Sequence, residues 1–176
     1  MKISKYNQRA LLGGIIAAII TGTGVFLLGN LSGYEAKNLI KTSLPGINML
    51  CNTIALASAT ILALLLTLLG ISSGIKSKLK DHHYVQVMTI AKLDAIIFIS
   101  AIILFQIFNI PITESDELDT NWYSTVYYSS LFLSSLLSGG IVSVILMLYN
   151  TVINIIKIVG LGQTDHPLID NDDEEE

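Results

Sequence analysis

Four stretches of this chain are long and apolar enough that a lipid bilayer is their natural solvent. Residues 11–29, LLGGIIAAIITGTGVFLLG, hold no charge over 19 positions. As a helix they extend about 28 Å, close to the hydrocarbon thickness of a membrane. Residues 47–71 are also uncharged, residues 93–110 contain only Asp94 near their start, and residues 131–149 form the fourth run. Such a run in lipid must satisfy its own backbone, which a helix does and an isolated strand does not. A transmembrane barrel would show polarity alternating over about ten residues, and no such alternation is present. The fold class predicted is therefore all-α: a four-helix transmembrane bundle occupying residues 1–162, with an acidic, disordered cytoplasmic tail at 163–176.

Composition agrees. Charged residues make up 14% of the chain, against about 25% in an ordinary soluble domain. The net charge of −4 comes largely from the terminal DNDDEEE, so no basic surface for nucleic acid is indicated. The single cysteine, Cys51, excludes an intrachain disulfide. The first apolar run is longer than a signal-peptide core, and no A-x-A-like site follows it, so it is expected to remain as a span.

Sidedness follows from Lys and Arg in short loops. Lys2, Lys5, Arg9, Lys76, Lys78, Lys80, Lys92 and Lys157 fall on one side, and only Lys37 and Lys41 on the other. Eight against two places both termini and the middle loop in the cytoplasm. Short loops and the Ile, Asn and Lys usage suggest a bacterial inner membrane.

The connections carry their own signals. Ser32 and Glu35 have capping-box spacing, and Tyr34, Leu39, Ile40 and Leu44 alternate with Lys37 and Lys41. This pattern predicts a short interfacial helix in the first outer loop, stopped by Pro45-Gly46. Ser72-Ser73-Gly74 closes the second span, and Asp81 opens a helix that enters the membrane as the third. Trp122, Tyr123, Tyr127 and Tyr128 form an interfacial aromatic group at the start of the fourth, which extends to about Val159.

Candidate functional residues lie on two faces and at one charged pair. Thr53, Thr60 and Thr67 follow helical spacing on the second span with Asn52 beside them, and Ser130, Ser134 and Ser138 do so on the fourth. Such stripes line pores or let helices pack closely; close packing is the plainer explanation. Lys92 and Asp94 are the charges nearest the membrane interior, where an ionisable group is a functional candidate by default. Two residues apart, they point to different sides of a helix. Each therefore needs another partner, such as Asn150 or Asn154 on the fourth span. The plainer explanation is an interfacial anchor pair. Asp81, His82 and His83 have poor spacing for one metal ion. The sequence holds no HExxH, CxxC, phosphate loop or serine triad, so no enzyme activity, cofactor or metal is predicted.

These features favour a homo-oligomeric channel or pore in the lipid bilayer. Two alternatives stand beside it: a non-conducting scaffold that binds a membrane partner protein, and a proton-linked transporter using Asp94.

Overall fold

A computed structural model describes residues 5–27, 33–74, 81–110 and 120–160. These residues form four helices: α1 (Lys5–Leu27), α2 (Gly33–Ser73), α3 (Asp81–Phe108) and α4 (Thr120–Ile155), the last closing in a π-helical turn, Ile156–Gly160. Three of them are long and apolar enough to cross a membrane, over Glu35–Ser73, His83–Phe108 and Trp122–Ile158. The acidic tail and the loop bearing Lys76, Lys78 and Lys80 lie outside the described residues.

One repeat organises the bundle. From Ile47 onward the buried positions on α2 are Ile47, Cys51, Ile54, Ser58, Ile61, Leu65, Leu68 and Ser72, in alternating steps of four and three. On α3 the same steps give His83, Val87, Ile90, Asp94, Ile97, Ala101, Leu104 and Phe108. On α4 they pass through Tyr123, Tyr127, Ser130, Leu137, Val144, Leu148, Thr151, Ile155 and Ile158. A 3.5-residue period keeps one seam facing its partners along the full helix. α2, α3 and α4 therefore make a three-helix core, while Leu56, Leu66, Ile96, Ile103, Phe132 and Leu136 point outward. Large apolar side chains outside and several polar ones inside is an arrangement suited to lipid.

Cross-contacts fix the directions. Gln86 meets Thr151 and Ser72 meets His83 at one end, and Asn48 meets Asn109 at the other. Hence α3 runs antiparallel to both α2 and α4. We refer to the end carrying Ser72, His83 and Thr151 as the near end.

α1 docks on α4 through a seam of small residues. A Cβ added at Gly14 would strike Ser143 Oγ and the Gly139 carbonyl, and one at Gly139 would lie 2.7 Å from Ala18 Cβ. Gly22 faces Ser135 farther along. Removing side chains lets the two backbones approach, which drives helix association where lipid offers no hydrophobic gain. Between α1 and α3, over α4, lies an apolar groove of about 280 Å³ lined by Leu11, Leu93, Ile97, Leu104 and Leu136 among others.

The sequence predicts a separate interfacial helix ending at Pro45-Gly46. The structure instead runs one helix of 41 residues through both. Pro45 forfeits a hydrogen bond and crowds the preceding turn, at a cost of about 3 kcal/mol. Tertiary packing offsets it. Ala36 and Ile40 are buried against Tyr123 and Tyr127 of α4, with Leu39, Leu44 and Leu131 around them. Lys37 Nζ sits 5.3 Å from the Tyr123 ring centre. Burying one Ile is worth about 1.5–3 kcal/mol and a cation–π contact about 0.5–1, enough together to hold the segment helical.

Two substitutions test the seam. Gly139→Val should destabilise the protein by about 1–3 kcal/mol through overpacking against Gly14 and Ala18. Gly70→Ala has nothing within 4 Å of the new methyl and should be neutral or stabilising by up to about 1 kcal/mol. Thermal unfolding in mild detergent reads both.

Candidate functional site

The seam of α3 places a carboxyl where a hydrocarbon side chain belongs. Asp94 occupies a core step between Ile90 and Ile97 and has no solvent exposure. Neither of its carboxyl oxygens has a hydrogen-bond partner. Across the seam, the Ser58 hydroxyl on α2 faces it. Ser58 is also fully buried, and its oxygen is likewise unpaired, so the two groups face each other without closing a bond of normal geometry.

Ser58 is exceptional on its helix. Thr53, Thr60, Thr67 and Ser72 each donate to the carbonyl four residues back, at 2.8–3.1 Å. Thr42, Ser43 and Ser73 also return to their own backbone. The Ser58 proton alone among the described α2 hydroxyls is uncommitted. A hydroxyl and a carboxyl left open together in a dry core form a site, because each unmade bond costs about 1–3 kcal/mol.

The register explains why the expected partners do not reach. Gln86 bonds Thr151, and a Cβ on Gly140 would touch Ile97. Asp94 therefore lies level with Ser143, Val144 and Met147. Asn150 and Asn154 are nearer the end of α4 and leave the carboxyl unpaired. Lys92 is exposed on the outside of α3. Buried Asp94 and outward-facing Lys92 point to different sides of α3, as their spacing predicts.

Toward the near end the core turns polar again. Ser72 Oγ lies 3.1 Å from His83 Nε2, and Gln86 Nε2 donates to Thr151 Oγ1 at 3.0 Å. Both hydroxyls spend their protons on their own helices, Ser72 on Leu68 O and Thr151 on Met147 O. Each must accept from α3. His83 thus carries its hydrogen on Nε2 and donates it to Ser72.

The hydroxyl faces separate by burial. Asn52, Thr53, Thr60 and Thr67 are all exposed on the outside of α2. Ser130 is buried and bonds Tyr127 O, Ser134 is half-buried and bonds Ser130 O, and Ser138 is half-buried. Ser58, Ser72, Gln86 and Thr151 were not singled out by spacing of small residues. The alternating four-and-three steps on α2 would have found Ser58, since it falls on the same line as Ile54 and Ile61.

Among the described residues no group of three His, Cys, Asp or Glu could hold a metal ion. Two carboxyl oxygens and one hydroxyl also fall short of the six to eight oxygens a calcium ion takes. Comparison with known protein families, curated proteins and solved structures finds no match.

Replacing the open carboxyl should stabilise the fold. Asp94→Val should raise unfolding free energy in detergent by about 1–3 kcal/mol, the penalty of the unmade bonds. By contrast Thr151→Val strands the Gln86 amide and should cost about 1–3 kcal/mol. Adding Gln86→Leu should recover most of that loss, and an additive double mutant would show the pair to be uncoupled.

Proposed function

We propose that this chain is a four-span integral membrane protein with a proton-linked activity, and that Asp94 is the group that takes up and gives back the proton. The observation that carries this is a fully buried carboxyl with both oxygens unpaired, facing an equally unpaired hydroxyl. Evolution toward stability alone would fill that step with Val or Ile, as at neighbouring steps. A carboxyl inside a membrane bundle is a functional candidate by default. A proton suits it better than a metal, because a proton needs only one oxygen and a place for the remaining hydrogen bond. Ser58 supplies that bond, donating to the carboxylate when Asp94 is charged.

In this reading α1 is the fourth span, seated by its small-residue seam. The distribution of Lys and Arg supports cytoplasmic termini, and hence a cytoplasmic near end, in a bacterial inner membrane.

A second reading, a homo-oligomer, rests on a different observation. Asn52 presents an amide on the outside of α2 within the candidate span, beside Thr53, Thr60 and Thr67. An amide facing hydrocarbon gains by bonding across a helix pair. Copies of the chain joined on this face would make the channel assembly its polar stripe suggests; a bound scaffold partner would use the same face.

Proteoliposomes with a trapped pH dye and an imposed pH gradient should show a protein-dependent proton flux. Asp94→Asn should lower it to the rate of empty liposomes while membrane insertion is unchanged. Equal flux in wild type and variant would remove the proton reading. For the second reading, Asn52→Leu should shift the particle from oligomer to monomer in mild detergent, and an unchanged mass would count against that face.

A further inference from the structure

We propose that the groove between α1 and α3 binds one anionic phospholipid, with an acyl chain lying in the groove and the phosphate held at its near-end mouth by Lys92 and Asn150. The width of the groove selects a hydrocarbon chain. Its α3 wall runs from Leu93 to Leu104, eleven residues or about 16 Å. A volume of about 280 Å³ over that length leaves a mean cross-section of about 17 Å², against about 80 Å² for a helix roughly 10 Å across. A helix would rest on this groove, whereas a single extended hydrocarbon chain enters it. Leucine and isoleucine side chains make most of the walls. Of the two hydroxyls among them, Ser143 donates to its own helix at Gly139 O, and Ser100 is half-buried.

Polar groups continue the lining at the near end. On α3, Ile96, Ser100 and Leu104 line the groove at steps of four, and one such step earlier on the same face stands Lys92. α3 begins at the near end and its side chains lean toward its N-terminus, so the exposed Lys92 reaches past the end of the groove. Lys92 is seventeen residues, about 26 Å, from Asn109. A bilayer with Asn109 at one surface therefore has Lys92 near the headgroups of the other. On α4 the lining residues Leu136, Gly140 and Ser143 lead by steps of four and three to Met147, Asn150 and Asn154. Leu146 faces Gly13 of α1 and Thr151 bonds Gln86 of α3, so Asn150 falls between the two walls. Asn150 and Asn154 are half-buried, and among the described residues neither amide has a hydrogen-bond partner.

Charge at the mouth is of one sign. Over their described lengths α1 and α4 carry no acidic residue. α3 has Asp94, buried in the core seam, and Asp81, eleven residues or about 16 Å along the helix from Lys92. Among the described residues Lys92 has no ion-pair partner. An ammonium so placed takes its counter-ion from outside the chain, and at headgroup depth that anion is a lipid phosphate. Headgroup selectivity follows. A zwitterionic lipid compensates its phosphate with its own ammonium, whereas phosphatidylglycerol leaves the full charge for Lys92. The Asn150 amide donates to a phosphate oxygen of either lipid.

The test is native mass spectrometry of the full chain in mild detergent, with dioleoylphosphatidylglycerol and dioleoylphosphatidylcholine as equimolar probes. Wild type should retain one phosphatidylglycerol in preference to phosphatidylcholine. Lys92→Ala should cut that preference about fivefold, and Lys92→Arg should keep it. Asn150→Leu should weaken both lipids alike. Ser100→Phe fills the groove and should abolish retention of either lipid. Equal retention of the two lipids by wild type overturns the proposal, as does a preference that Lys92→Ala leaves intact. Lys92 is exposed, so that variant folds whatever becomes of Ser100→Phe. Unaltered retention in a folded Ser100→Phe places the lipid elsewhere and overturns the groove assignment. Displacement of the lipid by inorganic phosphate would make this a site for the free anion and overturn the acyl chain's part. A dimer that Ser100→Phe splits would seat a second copy in the groove and overturn the lipid equally.

Discussion

A seam of alternating four- and three-residue steps controls this molecule. It decides which side chains of α2, α3 and α4 face one another, and it does so whatever their polarity. Where the step falls on Ile or Leu the result is ordinary packing. Where it falls on Ser58 and Asp94 the same geometry drives a hydroxyl and a carboxyl into a dry core. Shifting α3 by one residue would expose Asp94 but would also turn Ile90, Ile97 and Leu104 out of register. The apolar majority of the seam therefore holds the polar minority in place, and their desolvation is borne by the packing around them.

The helices themselves were largely legible in the sequence. Apolar runs of membrane length, the Ser72-Ser73-Gly74 stop and the start at Asp81 mark α2 and α3 because the bilayer imposes length and backbone satisfaction. Local signals misled at Pro45-Gly46. A proline inside a helix normally ends it, but here Ala36 and Ile40 bury against Tyr123 and Tyr127 on α4, a contact 80 or more residues away in sequence. No window around Pro45 contains that information. The site was half legible. Asp94 stands out as the only charge within its run, whereas Ser58 is one small hydroxyl among many until the seam is laid over it.

Polarity alone is a poor guide to function in such a chain. The hydroxyls most conspicuous by spacing, Thr53, Thr60 and Thr67, are exposed on α2 and return their protons to their own backbone carbonyls. A threonine that does so is nearly apolar to its surroundings and tolerates lipid. The distinguishing quantity is whether each buried donor and acceptor is spent. By that measure the hydroxyls of Ser72 and Thr151 behave oppositely to the Asp94–Ser58 pair. Ser72 and Thr151 are fully engaged, each donating to its helix and accepting from α3. Ser58 and Asp94 are open.

That contrast bears on how so small a bundle would move a proton under the proposed function. α1 is pressed to α4 by glycine contacts that leave no room to slide, and α1 stands apart from the α2–α3 pair. The joint across which Asp94 and Ser58 face each other is instead the α2–α3 seam of branched and γ-branched side chains, tied at its ends by Ser72–His83 and Asn48–Asn109. Interdigitated apolar side chains can exchange rotamers and shift by a fraction of a turn, while backbone-on-backbone contacts cannot. Protonation of Asp94 changes the balance at that joint, because a charged carboxylate draws in the Ser58 hydroxyl and water, whereas the neutral acid sits at lower cost among Ile90 and Ile97. On the proposed proton-linked reading, Asp94 thus lies at the helix contact best able to respond to a proton.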